Sequence, residues 1–406
     1  MGTNTYPVPS SGSSTSTVLP VNASSVLLDG ALTSATSYTT TINGNGGLAY
    51  LVAGDNPAVF TVGGNSYTVL PNTVATTAAA VGSSTSATVS AVAKVPTSWT
   101  SSSLNGTSCN LVGYGNGYFV AVDGSYGGGT GSVRTSTTGT GTWTSTGATV
   151  AYGTTLANNG SGTWITFTYN GSSGNISTNN GSSWSSISLP ASQVWNSICY
   201  GNGYWFAVGN ANTYIYSTNG TTWTSGTFPN GTTGFTCAFG GGYFVVLVAS
   251  YGYYGTLPTS LTTVNHSINS VPANLTYGNG LFVASSNGSS YGYIWPLSTV
   301  IVGGGPSALG TQVLSNSAIN GTSMLYANGY FWWAYGYTGS GTTPLYSTNG
   351  YTWSLSTALP AGSPSGIAYG NGTYVVVTSS TTTAYYSQAA ALPVSFGIYA
   401  GPTAIH

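Results

Sequence analysis

Apolar and polar residues alternate in short runs along nearly the whole chain, and Gly, Asn, Ser and Thr break the runs before any could become a helix. The clearest stretch is Cys199 to Trp223, CYGNGYWFAVGNANTYIYSTNGTTW. An apolar run meets Gly201-Asn202-Gly203 and reverses into Tyr204-Trp205-Phe206-Ala207-Val208. Asn-Gly supplies the positive φ angles of a tight hairpin. A third run, Tyr214 to Ser217, reaches a further turn at Thr218-Asn219-Gly220, the third of the unit, and a fourth run opens at Trp223. The pattern predicts a four-stranded antiparallel meander.

The stretch recurs, with the last glycine of its first hairpin at Gly117, Gly160, Gly203, Gly242, Gly280, Gly329 and Gly372. A period of roughly 40 to 45 residues with four strands per unit is that of a β-propeller. Tryptophans open the fourth strand at Trp143, Trp184, Trp223 and Trp353; Leu261 takes that place in the fourth unit, and the fifth shows no clear equivalent. The seventh unit runs out after Tyr385-Tyr386-Ser387 without a fourth strand. The spare strand stands at the other end, where Trp99 precedes Trp143 by one period with no hairpin before it. The expected fold is therefore all-β: a seven-bladed propeller over residues 95–390, closed by the N-terminal strand at Trp99, which removes most free edges.

Residues 1–20 are rich in Ser, Thr and Pro and read as an extended arm. Residues 21–94 hold six short alternating runs around Val26, Thr40, Tyr50, Phe60, Val69 and Val89, separated by Gly-Asn, Asp-Gly and Pro-Asn turns. They predict a small β-sandwich or barrel that serves as an attachment domain. Residues 391–406 are left as a C-terminal tail.

Charge changes the picture by its scarcity. Of 406 residues 1% are charged: Lys94, Arg134, Asp29, Asp55 and Asp123, with no glutamate. Without a basic patch, binding to nucleic acid or to anionic lipid has no driving force. The 31 tyrosines and 11 tryptophans set the chain apart from disordered polar sequences. The amino terminus, MGTNTYPVPSSGSS, has no basic region or apolar core of a secretory signal, and no apolar run reaches membrane-spanning length. Cys109, Cys199 and Cys237 are odd in number and lack metal-ligand spacing, so each reads as a small core residue, with no metal or cofactor expected. Asp123 and Arg134 flank one loop and suggest a cross-strand ion pair, and His266 reads as a loop residue.

Ser177-Thr178-Asn179-Asn180-Gly181-Ser182-Ser183-Trp184 resembles the Asp-box of sialidase-type propellers, Ser-x-Asp-x-Gly-x-x-Trp, with Asn179 where that family has Asp. Ser136 to Trp143 keeps the spacing with Thr138 at that place; Ser217 to Trp223 and Ser347 to Trp353 are one residue shorter, with Asn219 and Asn349. The resemblance implies a folding device: a short polar side chain accepts backbone N–H bonds in the turn and the tryptophan packs between blades. It does not imply hydrolysis. Sialidases of this type use three arginines, a Tyr-Glu nucleophile and an Asp acid/base, whereas the predicted propeller offers Arg134, Asp123 and no glutamate. Other glycosidases need two flanking carboxylates, and neither His266 nor His406 lies in a nucleophile-base setting. No catalytic residue is assigned.

The Asn-Gly turns of such a meander lie on one face; the second turns, on the other, vary. There Tyr126, Tyr251, Tyr253, Tyr254, Tyr291, Tyr293, Tyr335 and Tyr337 are the candidate ligand-binding residues, with an insertion near Gly303 to Ser317. Tyr, Gly and Ser loops on a rigid scaffold give large contact area at low entropy cost, and neutral aromatics suit sugar rings. In style the chain resembles phage tail fibres and head fibres or decorations. The resemblance implies a non-enzymatic protein on the virion surface, held to other virion proteins through residues 1–94, forming a homo-oligomer and meeting a host-surface glycan. Two other readings remain open: a purely structural decoration or filament subunit, and a bacterial lectin-like adhesin.

Overall fold

The computed structural model describes residues 25–32, 37–53, 58–69, 74–91, 95–96, 98–123, 130–151, 155–229, 234–248, 251–265, 272–286, 292–296, 307–308, 319–337, 343–379, 381–388 and 394–401. The expected arm, Tyr126, Tyr291, His266 and the insertion near Gly303, apart from Ser307–Ala308, lie outside them. The chain divides into two units, Met1–Val95 with Ala389–His406, and Pro96–Gln388.

The first unit contains two four-stranded sheets. One orders Ser25–Leu32, Val394–Ala400, Ala49–Ala53 and Val74–Thr76; the other orders Ser37–Ile42, Thr85–Ala91, Ala58–Val62 and Asn65–Val69. Alternation in each strand sends one set of side chains inward. Leu51, Phe396 and Ile398 from the first sheet share a core with Ile42, Phe60, Val62 and Val89 from the second. Phe60 and Phe396 meet nearly edge to face, with centroids 6.5 Å apart. Val394–Ala400, which the sequence reading leaves in a tail, is thus a central strand paired on both sides. Its alternation, with Phe396, Ile398 and Ala400 inward, is too short to be told from a stray apolar run until its partners are known.

In the second unit each sequence repeat folds as a four-stranded antiparallel meander. Repeats two and three share one long strand, Ser185–Gly201, which is the fourth strand of one and the first of the next. The fifth repeat, which shows no fourth strand by pattern, has Ser307–Ala308 paired to Tyr293 and Ile294. The seventh sheet takes its fourth strand from Thr100–Ser103, which pairs with Thr383–Gln388. Just before it, Trp99 is buried and its indole donates to the Thr357 carbonyl at 2.9 Å.

First hairpins turn through Asn at φ 47° to 52° followed by Gly at φ 73° to 82° in five repeats, the left-handed pair of a type I′ turn. In four repeats the glycine just before the first hairpin does a different job. Gly201, Gly240, Gly278 and Gly370 lie flat against the rings of Phe239, Tyr277, Tyr326 and Tyr114, each from the first strand of the following repeat (for Gly370, of the first). A methyl group at any of these glycines would overlap the ring. Each of these four rings is held from behind by an aromatic five residues on, in the pairs Tyr114–Phe119, Phe239–Phe244, Tyr277–Phe282 and Tyr326–Phe331, and Tyr200–Trp205 and Tyr369–Tyr374 pair in the same way, all at 4.5 to 4.8 Å. Neighbouring first strands therefore approach as ring on glycine.

Gly201→Ala should destabilise the chain by roughly 2 kcal/mol or more through overpacking, read as a lower urea midpoint. Gly82→Ala, where nothing lies within 4 Å and φ is not positive, should stay within about 0.5 kcal/mol of the parent. Equal effects from the two changes would refute the ring-on-glycine contact.

Candidate functional site

The two ends of the meanders are built differently, and each end follows from local chemistry. At the Asn-Gly end the third turns form a serine-asparagine lattice. Ser217 Oγ donates to Asn219 Oδ1 at 3.0 Å and accepts from the Gly220 amide at 2.8 Å, while Asn219 Oδ1 accepts from the Thr221 and Thr222 amides at 3.0 and 2.9 Å. The turn at Ser347 and Asn349 repeats every one of these bonds. At Ser177 the extra residue moves the amide contacts to Gly181 and Ser183. The carboxamide oxygen thus does what a carboxylate would, without adding charge. Trp184, Trp223 and Trp353 each donate their indole N–H to the carbonyl of the turn glycine at 3.0 Å. Trp143 donates instead to Ser102 Oγ in the strand Thr100–Ser103.

These turns also join repeats. Gly220, at φ 76°, fits against Ile165 and Ile176 of the preceding repeat, Gly181 against Val120, Gly350 against Val283 and Gly139 against Val375. Hairpin asparagines reach across as well: Asn116 Nδ2 donates to Asn180 Oδ1 at 3.0 Å and Asn371 Nδ2 to the Thr137 carbonyl at 2.9 Å. With its polar groups committed to its own turns, this end is scaffold.

The opposite end is shaped by a repeated irregularity. In repeats three to seven the first strand carries one extra residue against the second, at Asn196, Phe235, Ala273, Thr322 and Ser365. A β-bulge re-aims the side chains around it. The strands that carry these bulges border a cavity of about 210 Å³, whose wall takes residues from every repeat, among them Leu111, Thr155, Asn196, Thr236, Asn274, Ser323 and Ser365. Ser197, Ile198, Cys237, Leu275 and Met324 complete much of it, and among the described residues no charged side chain lines it. Several polar groups are braced: Asn196 Nδ2 by the Gly234 carbonyl at 3.1 Å, Asn274 Nδ2 by Ser285 Oγ at 3.3 Å and Ser365 Oγ by the Val377 carbonyl at 3.2 Å. Such a wall offers hydroxyl and amide hydrogen bonds beside apolar patches. An ion entering it would lose hydration without gaining a counter-charge.

The expected tyrosine site fares unevenly. Tyr253 does not face a loop: it is fully buried in the core between repeats three and four and stacks on Phe228 with centroids 4.8 Å apart. Tyr251 and Tyr254 are half-buried in the same strand, Tyr251–Gly255. A Tyr-Gly-Tyr-Tyr run reads equally as loop or strand in sequence, and pairing with Thr262–Asn265 decides it. Tyr293, Tyr335 and Tyr337 occupy strand positions opposite Ala284, Gly321 and Ile319. The sequence reading missed the cavity; the polar residues Asn196-Ser197, Asn274 and Ser323, placed a few residues before first hairpins, were the available signal.

Arg134 is buried, and its guanidinium donates to the carbonyls of Leu104, Asn105 and Val133 and to Thr107 Oγ1. It fastens the segment that follows Thr100–Ser103 onto the first repeat. Burial pushes the Cys109 thiol up to about 12, the Arg134 charge opposing. Burial likewise raises the phenols of Tyr214, Tyr277, Tyr330, Tyr369 and, most of all, Tyr374. No group of three His, Cys, Asp or Glu side chains fit to hold a metal occurs among the described residues.

No protein-family model matches the chain, and no curated protein matches it. Solved structures do. A YCF48 structure with a bound D1 peptide has a TM-score of 0.50 at 12% identity, covering 77% of this chain and all of that one. The WD40 propeller domain of Doa1 gives 0.52 at 14%, covering 72% and 96%. PorZ of Porphyromonas gingivalis gives 0.51 at 11%, covering 76% and 40%. At these identities the likeness concerns fold alone, and the fold is a β-propeller.

Asn219→Ala should cost roughly 1–2 kcal/mol by stranding two turn amides. Asn219→Asp should keep neutral-pH stability, since a carboxylate accepts the same bonds. Those bonds hold the variant's folded carboxyl pKa below its unfolded value, so the added stability exists above about pH 4 and disappears as pH falls through the folded value. Urea midpoints of both variants at pH 7 and in acid check this.

A second expectation concerns the parent chain. Its buried thiols and phenols have folded pKa values above the unfolded ones, so in alkali the unfolded chain releases protons that the folded chain keeps. The stability involved is complete below the unfolded values, about 8.5 for thiols and 10 for phenols, and is lost as pH climbs above them. The urea midpoint should be nearly flat from about pH 4 to 8 and should fall steadily above about 9. A loss confined to acid would contradict the assignment.

Proposed function

We propose that residues 96–388 form a seven-bladed propeller closed into a ring by Thr100–Ser103, and that the chain is a non-enzymatic virion surface protein, a tail fibre, head fibre or decoration. Residues 1–94 hold it to other virion proteins, and the propeller binds an uncharged part of a host-surface glycan. Closure is supported by the succession of first-strand contacts, each repeat to the next, with Leu111–Gly115 touching both Ala157–Asn158 and Pro364–Gly370. It is supported too by the hydrogen bonds joining Tyr114 to Asn371 and Asn371 to Thr137.

The observation that carries the binding assignment is the cavity wall, drawn from all repeats and made of hydroxyls, amides and apolar carbon without charge. That chemistry matches a neutral sugar, which presents hydroxyls at its rim and C–H groups on its faces. Among the described residues the lining includes no carboxylate and no histidine, which favours holding a ligand over transforming it. The Asp-box resemblance enters as a means of stiffening the ring. Tyr293, Tyr335 and Tyr337, in strands that lead into the second turns, are candidates for the rim of the same site.

The test is a glycan array probed with the full chain, followed by titration of the best ligand. Binding of a neutral glycan should vary less than twofold between low and molar salt, because no charge is available to be screened, and should fall at least tenfold in Asn274→Ala. Thermal melts confirm that the variant is folded. If the wild type binds no glycan, and images of the particle show this face buried against neighbouring subunits, the chain is a purely structural subunit. Its absence from purified particles would transfer the assignment to a bacterial adhesin.

A further inference from the structure

We propose that Cys199 and Cys237 are an oxidative modification site, where hydrogen peroxide admitted through the central cavity converts two thiols into a disulfide joining the third repeat to the fourth. The two cysteines stand on the first strands of adjacent repeats, Ser185–Gly201 and Gly234–Gly240. Both side chains enter the same inter-repeat core, with Phe206, Val208, Phe244 and Val246. Ser197 fixes the relation between the strands, its Oγ accepting from the Cys237 amide at 3.2 Å and donating to the Cys237 carbonyl at 3.3 Å. Cys237 Sγ lies 3.6 Å from Ser197 Oγ, and the Cys199 thiol, raised first by burial, is raised further by the Cys237 thiol near it. Bridging them brings the two sulfurs to the S–S bond length of about 2.05 Å.

Cys237 is also one of the residues that line the cavity, which in this proposal is the oxidant's way in. The chemistry runs in two balanced steps. The Cys237 thiolate attacks one peroxide oxygen; the O–O bond breaks, and the departing hydroxide takes the thiol proton to leave as water. The resulting sulfenic sulfur is attacked by the Cys199 thiolate; the S–S bond forms, the S–O bond breaks, and the second hydroxide leaves as water with the Cys199 proton. Two thiols lose two electrons and one peroxide becomes two waters. Burial holds the Cys199 thiol high, so the second step is slow at neutral pH and quickens in mild alkali. Cys109 belongs to a different core, with Phe119, Trp143 and Val375, and keeps its thiol.

The experiment treats the folded full chain with millimolar peroxide at pH 8.5, quenches with catalase, unfolds it and caps remaining thiols. Chymotrypsin is the protease for mapping, because Lys94 and Arg134 are the chain's only tryptic sites and both precede the pair. The expected result is one capped thiol, at Cys109, a Cys199–Cys237 cross-linked peptide abolished by reductant, and a raised urea midpoint that reductant restores. Cys199→Ser should leave an oxidised Cys237 with no intrachain bridge. Three free thiols after a treatment that oxidises the urea-unfolded chain would overturn the proposal. So would a bridge that includes Cys109 or links two chains.

Discussion

The second unit depends on one contact, an aromatic ring laid on a glycine where the first strands of neighbouring repeats meet. Strands that approach so closely leave no room for a Cβ, and a ring fills the space that two ordinary side chains would contest. The ring is itself fixed, because the aromatic five residues later in the hairpin packs behind it. One five-residue pattern therefore sets the hairpin, the core of each sheet and the spacing between sheets. The second repeat departs from it: Asn158 takes the place of the ring and lies over Gly115, and its amide donates to the Tyr114 carbonyl at 3.1 Å. A hydrogen bond there replaces dispersion.

The same economy governs polarity. With 1% charged residues, the fold relies on hydroxyls and carboxamides where other proteins place carboxylates, most plainly in the turns at Asn219 and Asn349. Neutral groups are cheaper to desolvate than ions, which lets these turns press against the neighbouring repeat, as Gly220 does on Ile165 and Ile176. Arg134 shows the converse. Its buried guanidinium is tolerated because carbonyls and a hydroxyl meet its donors, and it spends them on the segment that follows Thr100–Ser103.

Much of this architecture was legible in the chain. The recurrence of Gly-Asn-Gly hairpins and Ser-x-Asn-Gly turns gave the meanders, and the displaced Trp99 pointed to the strand that pairs with Thr383–Gln388. What stayed hidden was whatever depends on neighbours. Val394–Ala400 reads as a stray apolar run until Ser25–Leu32 and Ala49–Ala53 flank it. Tyr253 reads as a loop tyrosine until Phe228 stacks on it. A bulge is one strand's length relative to another's, so of the cavity only the polar residues before the hairpins, such as Asn196, Asn274 and Ser323, were visible in the sequence.

The central claim is that the uncharged cavity at the bulged end is where the propeller meets its ligand. A crystal of the full chain soaked with the glycan selected on the array tests it directly. The account predicts density for a terminal neutral sugar within hydrogen-bond distance of Asn196, Asn274 or Ser323. Density lying over the Asn-Gly turns at the other end, with the cavity holding only water, would contradict it.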